Sequence, residues 1–313
     1  MLYTIQYWLG GIGNVRINEK DAVFMVTSKQ DTNKLLKLMY NYFSKLNTKK
    51  VLDFVDWYKG RNLYYKYLDQ RDISIPAHKD PTYPNILKKI IHIKNYMNKS
   101  RINFKLPESH EVSITNEWLL GFFEGEGCFY LNNTSIAFNL PQTAVNRYVL
   151  VYIKDYLKKY RDNLTITIKD CRPNKLKQKP YSVLFIGNNN ANAFISLLIN
   201  LPWLSIKLLN FTDWVIIHIL VSEGKHFIPE GKDIIAKLKS RLGTKRELLD
   251  KEIGREVIDL LYSESNYIKS DHTGILKVKK NLYGLPSIKH KTGSYVLVTD
   301  PPQKKVGGKK WNF

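Results

Sequence analysis

Two glutamates, Glu124 and Glu126, alternate with Gly125 and Gly127 between the apolar stretch Trp118 to Phe123 and the strand-like run Cys128 to Leu131. The apolar stretch can bury one face of a helix, and glycine is the usual residue where a helix stops or a backbone must pass another closely. A carboxylate at a helix C-terminus sits against the negative end of the macrodipole, which costs a few tenths to about 1 kcal/mol unless a cation is present. A cation is therefore expected beside this pair. The plain alternative is a glycine-capped helix running into a strand, with both glutamates merely solvated.

The rest of the composition says what such a site would meet. Among 313 residues, 49 Lys and Arg stand against 28 Asp and Glu, a net charge of +21. That balance suits a polyanion: nucleic acid first, an anionic membrane surface second, simple solubility third. The cations are spread through Lys49-Lys50, Lys88-Lys89, Lys158-Lys159, the run Lys175 to Lys179, the run Lys237 to Arg246 and the C-terminal tail, among 20 tyrosines and 6 tryptophans. Phosphate contacts with stacking explain this mixture better than an acidic small-molecule site does. Cys128 and Cys171 are too few for a disulfide scaffold or a thiolate metal site, so a reducing compartment is expected. No stretch approaches the roughly 18 apolar residues of a membrane span. The opening residues resemble neither a secretory signal nor a presequence. Heavy use of Lys, Asn, Ile and Tyr fits an AT-rich genome such as that of an organelle, and a mitochondrial location is the expectation.

The elements that must position the carboxylates are organised by an internal repeat. Lys45 to Trp57 aligns without gaps on Pro202 to Trp214, with identities at Lys50 and Lys207, Leu52 and Leu209, Phe54 and Phe211, Asp56 and Asp213, and Trp57 and Trp214. The apolar identities are explained by an amphipathic helix core, whereas the shared Lys and Asp need another reason. Upstream, Ala22 to Ser28 matches Tyr181 to Gly187; downstream, Ile93 to Arg101 matches Leu238 to Arg246. The second copy reads as a helix over about Asn116 to Gly125, strands over Cys128 to Leu131 and Ser135 to Leu140, and a helix over Val145 to Tyr160. Strands over Leu164 to Lys169 and Tyr181 to Ile186 and three helical segments complete it. The first copy begins at the equivalent of the second helix and lacks a comparable carboxylate pair, since Glu19, Asp21 and Asp31 fall in a turn and a loop. Three regions are expected: a truncated first half over 1–105, a complete second half over 106–255 and a basic extension over 256–313. The extension is read as an arm that orders on a nucleic-acid partner.

Leu119 to Gly127, the run LLGFFEGEG, resembles position by position the nonapeptide of the LAGLIDADG homing endonucleases and intron maturases, with glutamate twice in place of aspartate. Trp118 and Cys128-Phe129 are similar to that family too. The resemblance implies an α+β fold of two pseudo-symmetric αββαββα units, here with the first one truncated, whose antiparallel sheets form a saddle over a duplex. It implies that Gly121 and Gly125 let two motif helices approach. It makes Glu126 the metal-ligating acid, Glu124 its cap or a weak second ligand, and Mg²⁺ the cofactor where cleavage occurs. Lys50 and Lys207 fall where a basic residue lies near the cleavage centre; the alternative for both is a surface lysine on phosphate or solvent.

Alternation in the strands supplies a polar face independently. Ile136, Phe138 and Leu140 alternate with Ser135, Ala137 and Asn139; Ile166 and Ile168 with Thr165, Thr167 and Lys169; Val15 and Ile17 with Asn14, Arg16 and Asn18. One face is expected against helices and the other toward a ligand. The nucleic-acid-binding set is accordingly Arg16, Asn18, Ser135, Asn139, Gln142, Thr165, Thr167, Lys169, Lys239, Arg241, Lys245 and Arg246. With one acidic motif in view, three readings stand. In the first the chain binds structured RNA as an intron maturase or a component of an organellar ribonucleoprotein, with cleavage lost. In the second it is a Mg²⁺-dependent DNA endonuclease completed by a fused exon, a second chain or homodimerisation. In the third it is a basic scaffold without enzymatic activity.

Overall fold

The computed structural model describes residues 2–18, 21–43, 45–76, 79–133, 135–159, 164–172, 179–199, 201–205 and 207–242. Lys245, Arg246 and the 256–313 extension lie outside the described residues, as do Glu19 and most of the Lys175 to Lys179 run.

The chain opens with α1 (Leu2–Trp8), β1 (Asn14–Ile17), β2 (Ala22–Met25), α2 (Lys29–Phe43), α3 (Lys50–Gln70) and α4 (Tyr83–Asn95). A connection through residues 101–115 leads to α5 (Asn116–Glu126), β3 (Cys128–Asn132), β4 (Ser135–Thr143), α6 (Arg147–Lys158), β5 (Ile166–Cys171) and β6 (Tyr181–Gly187). Helices α7 (Ala191–Leu198), α8 (Lys207–Ser222) and α9 (Pro229–Arg241) follow. The order α1-β1-β2-α2-α3-α4 repeats as α6-β5-β6-α7-α8-α9, and among the described residues a helix and a hairpin, α5 with β3 and β4, precede the second series. Helices and antiparallel sheets make the α+β class that the periodicities imply.

Sheet topology follows from the pattern of the strands. β3, β4, β6 and β5 form one antiparallel sheet in that spatial order, and β1 pairs β2 in a second, two-stranded sheet. Phe129 lies opposite Phe138, Phe138 opposite Ile186 and Ile186 opposite Ile166, a row of apolar side chains on one face of the larger sheet. All four are essentially inaccessible. Period-two alternation therefore does place one face against helices.

Helix α5 starts at Thr115, whose side chain accepts from the backbone N–H of Trp118 at 3.2 Å, an N-cap that satisfies one of the free donors of the first turn. It buries Leu119, Leu120 and Phe123. Gly127 ends the helix because nothing larger fits: a Cβ there would meet the Phe123 carbonyl oxygen at 2.6 Å and the Phe138 ring at 2.7 Å. Helix α8 buries eleven of its 16 residues, which explains its nearly continuous apolar sequence. Trp214 anchors it, fully buried, with its indole N–H donating to the Ala137 carbonyl at 3.0 Å.

The first half is far less buried. α1 has no buried residue and α3 has three among 21. Ile17, expected on a core face, is 68% exposed, because a two-stranded sheet beside a short helix leaves little to cover it.

His218 on α8 is enclosed, with its Nε2 2.7 Å from the Asn192 Oδ1, and burial pushes its pKa down to about 4. A depressed histidine stabilises the fold while neutral, so that contribution is complete above its unfolded value near 6.5 and is lost as pH falls toward 4. Acidification through that window is expected to cost up to about 3 kcal/mol. Urea titrations at pH 7 and pH 4 check it, and His218→Gln should remove most of this pH dependence.

Candidate nucleic-acid interface

The two glutamates differ in what surrounds them. Glu124 turns its Oε1 to the backbone N–H groups of Leu204 (2.9 Å) and Ser205 (2.6 Å), so it ties the end of α5 to the loop entering α8. Glu126, the last residue of α5, is exposed. The cation expected beside them is an ammonium of the chain itself: Lys207 Nζ donates to the Gly127 carbonyl at 2.6 Å. A positive group at the C-terminal end of α5 offsets the dipole field that two carboxylates aggravate.

Lys50 and Lys207 each open the equivalent helix, α3 and α8, but their ammonium groups are used differently. Lys50 Nζ is held by Asp53 (3.1 Å) and Asn98 (3.0 Å) and stays exposed, whereas Lys207 is partly buried against α5. The shared aspartates have a structural reason. Asp213, fully buried, pairs with Arg241 at 2.9 Å, and Asp56 pairs with Arg101 at 2.5 Å while Asp53 takes the Arg101 Nε at 2.9 Å. Each arginine comes from the segment after the helix, α9 or the turn beyond α4, so the repeat conserves an ion pair that closes each half. Asp53 is held below the usual carboxylate range by the Asn98 N–H, Lys50 and Arg101, whose combined effect outweighs the larger opposing cost of its partial burial.

Several expected contact residues lie on the open face of the larger sheet. Asn139 sits between Cys128 and Phe185, and Phe185 pairs Thr167, giving one row across all four strands. Lys169 pairs Val183 and lays its ammonium 5.5 Å from the Phe185 ring centroid. Ser135 is exposed at the start of β4, and Thr165 is exposed just before β5, clasped by Asn190 through its N–H and carbonyl. On the smaller sheet Arg16 is exposed, and Asn18 closes a turn on Asp21. Lys239 is exposed on α9.

Three expectations are corrected. Gln142 falls on the same alternation as Ile136, Phe138 and Leu140, and its Oε1 accepts from Asn146 at 3.2 Å, so it faces the helix side and not the open face. Arg241 is spent on Asp213. Among the described residues no helix packs on Gly121 or Gly125: a Cβ added at either meets nothing within 4 Å, which leaves the glycine face of α5 open there.

Reading the sequence missed the bridge between the halves. Asn47, 3% exposed, donates to the Ser113 carbonyl at 2.6 Å and accepts from the Ser113 N–H at 2.8 Å. Tyr148 donates to the Asn47 carbonyl at 2.8 Å, and burial raises its pKa to about 12. Asn146 Oδ1 accepts from the Lys49 N–H at 3.0 Å, and the Lys49 ammonium stands 4.9 Å from the Tyr148 ring. Asn47 aligns with Leu204 in the repeat, and this difference between the copies was the available signal. Asn47→Ala removes the two hydrogen bonds that the buried Asn47 side chain makes to the exposed Ser113 backbone and is expected to cost about 1–2 kcal/mol. Amide exchange at Ser113 should accelerate while the β4–β6 amides stay protected.

A hard divalent cation such as Mg²⁺ takes six oxygens, typically one or two carboxylates with waters and substrate phosphates. This chain offers Glu126; the Glu124 Oε1 already has two N–H donors and the Gly127 carbonyl has Lys207. Among the described residues no cluster of three or more His, Cys, Asp or Glu could hold a metal. The donors present do not make a cation site by themselves, and Glu124 supports the loop through its Oε1.

With this geometry in view, comparison with known proteins is specific. Residues 119–218 match the family model of the LAGLIDADG endonucleases. The uncharacterized mitochondrial protein RF1 of Saccharomyces cerevisiae is 25% identical over 77% of this chain and 54% of its own length. The probable intron-encoded endonuclease 3 of Neurospora crassa is 24% identical over 77% and 46%. Among solved structures, the homing endonuclease I-GzeII in complex with its DNA target aligns at TM-score 0.61, 19% identity, covering 79% of this chain and 84% of that one. I-LtrWI bound to target DNA aligns at 0.59, 20% identity, covering 78% and 82%. The fold is that of the LAGLIDADG homing endonucleases, and residues 119–218 are similar to the LAGLIDADG endonuclease family model. It spans about half the length of the curated relatives it matches. No helix among the described residues is long and apolar enough to cross a membrane.

Proposed function

We propose that this chain binds nucleic acid on the open face of the β3-β4-β6-β5 sheet, that its preferred partner is structured RNA, and that residues 1–313 alone do not cut. It would act as an intron maturase or a component of a mitochondrial ribonucleoprotein. The observation carrying this reading is the solitary Glu126. The glycine face of α5 beside it is open, so no second helix among the described residues brings another acid to the same place. Two-metal cleavage clamps the attacking and leaving oxygens together, and one exposed carboxylate next to a lysine is a poor start for that. Exposed aromatics, Trp8, Tyr42 and Tyr152 among them, suit stacking on unpaired bases, which RNA loops offer and a duplex does not. The mitochondrial and intron-encoded names of the relatives support the location.

The second reading is a DNA endonuclease completed by another acidic helix. The same open face of α5 favours it, as do solved relatives bound to DNA targets. Glu126→Gln separates the two. The first reading expects RNA affinity within twofold of wild type and no Mg²⁺-dependent nicking by either protein. Nicking of a candidate duplex by the wild-type chain, lost in Glu126→Gln, would reject it.

A further inference from the structure

Helix α4 packs on α3 along one stripe and is bare along the opposite one. The two helices run antiparallel: the Tyr83 ring stands 5.5 Å from that of Tyr67, Ile93 is the side chain that a Cβ at Gly60 would meet at 3.8 Å, and Asn98 donates its N–H to Asp53 at 2.9 Å. Tyr83, Ile86, Ile90 and Ile93, three and four residues apart and half-buried, form the stripe against α3. Turned away from it, at the same spacing, are Lys88, Lys89, His92, Asn95 and Tyr96, with Lys99 in the turn beyond, all exposed. A solvated helix face normally mixes both signs of charge. Several helical lysines elsewhere follow that rule, Lys29 with Asp69, Lys59 with Asp56 and Lys237 with Asp233. Residues 83–100 contain no Asp or Glu, and among the described residues none of their lysines pairs with a carboxylate. The counterpart helix α9 carries Glu230 and Asp233 and buries four residues, whereas α4 buries none. Lys94 is explained by the dipole, which favours a cation in the last turn. Lys88 and Lys89, in mid-helix, have neither an acid nor the dipole to answer them.

We propose that the bare face of α4 is a second RNA surface, separate from the sheet, which holds another phosphate-bearing segment of the same structured RNA. This rests on the reading that structured RNA is the partner. Lys88, Lys89 and Lys99 supply the charge for the phosphates. Beside them His92 and Tyr96 lie one turn apart with ring centroids at 4.9 Å, and Tyr96 is 48% exposed, so a base can stack on it. Asn95 offers a donor and an acceptor to a 2′-hydroxyl or a base edge. The charge selects a polyanion. The amide and the rings set among the ammonium groups select nucleic acid over an anionic membrane, which is bound by large apolar side chains along the inserted stripe. The separation from the sheet follows from layering: α3 meets α2 through Phe54 and Tyr40 on one side and α4 through Tyr67 and Tyr83 on another, which makes α4 an outer helix whose bare stripe points away from α3. Two linked contacts bind one RNA more tightly than either alone, because the second forms intramolecularly.

The test titrates one labelled structured RNA at several potassium concentrations with four proteins. These are the wild type, a variant with Lys88, Lys89 and Lys99 changed to Gln, a variant with Arg16, Lys169 and Lys239 changed to Gln, and the two sets combined. The α4 variant is expected to lower the slope of log K against log salt by about 2, and to bind about a hundredfold more weakly at about 0.1 M potassium with the gap closing toward about 1 M. The combined variant is expected to lower the slope by about 4, since separate phosphates add. Circular dichroism of the α4 variant should match the wild type, because the stripe against α3 is untouched. An unchanged slope in the α4 variant, with the other set lowering it, overturns the proposal and leaves the RNA reading standing. A combined slope no lower than that of one set alone also overturns it, because both sets would then serve one segment. No change in any variant removes the RNA reading together with the proposal.

Discussion

Asp213→Ala is expected to lower the unfolding free energy by about 3–5 kcal/mol, the cost of leaving a buried charge without its partner. Asp213 is completely inaccessible, its carboxylate is 2.9 Å from Arg241, and the arginine side chain is only 15% exposed. Removing the acid therefore takes the Asp213 carboxylate from a guanidinium that water reaches poorly. Adding Arg241→Met to the variant should recover most of the loss, since replacing both members of a buried pair by packed apolar groups is often neutral. Asp56→Ala should cost clearly less, because Asp56 is 24% exposed and Arg101 keeps Asp53. Urea unfolding of the four proteins checks the order. A loss below about 1 kcal/mol for Asp213→Ala would mean that the pair contributes little, and Arg241 would return to the candidate contact residues.

That pair shows where the sequence was legible and where it was not. The repeat located Asp56 and Asp213 at equivalent positions in equivalent helices, but equal spacing does not say which distant residue answers a carboxylate. Arg101 and Arg241 do not align with each other in the repeat, so the shared function of the aspartates emerged only from tertiary contact. The second half was readable element by element, because its strands alternate cleanly, α6 carries one apolar stripe and α8 is apolar almost throughout. The same alternation misled at two ends. Gln142 follows the parity of Leu140 onto the helix side, where a polar residue closes a hydrogen bond with Asn146. Ile17 has the pattern of a buried position, but the pattern cannot reveal that its sheet stops at two strands. The motif itself was legible as a helix ending among glycines. That its glycine face stands open was not, since packing on a face depends on what arrives from outside the element.

Replacing Arg16, Lys169 and Lys239 together by Gln is expected to lower the dependence of RNA binding on salt, with the slope of log K against log salt concentration falling by about 2. Each cation that neutralises a phosphate on a single strand contributes about 0.7 to that slope through counterion release, so three contribute about 2.1. All three are exposed, and among the described residues none of them pairs with a carboxylate: Lys169 instead leans on the Phe185 ring. Lys207 is the instructive contrast. Its charge caps α5 at the Gly127 carbonyl, so Lys207→Gln is expected to disturb the Glu126 turn more than it changes the salt slope. Titrations of a labelled structured RNA at several potassium concentrations separate these effects. If the triple variant leaves the slope unchanged, the phosphate track does not run over these positions, and the binding face must be sought on the cationic surfaces of α3 and α4. A duplex DNA ligand run in parallel gives the other half of the answer. Per phosphate neutralised its slope is steeper, about 0.9, so a change near 2.7 on DNA with none on RNA would favour the endonuclease reading.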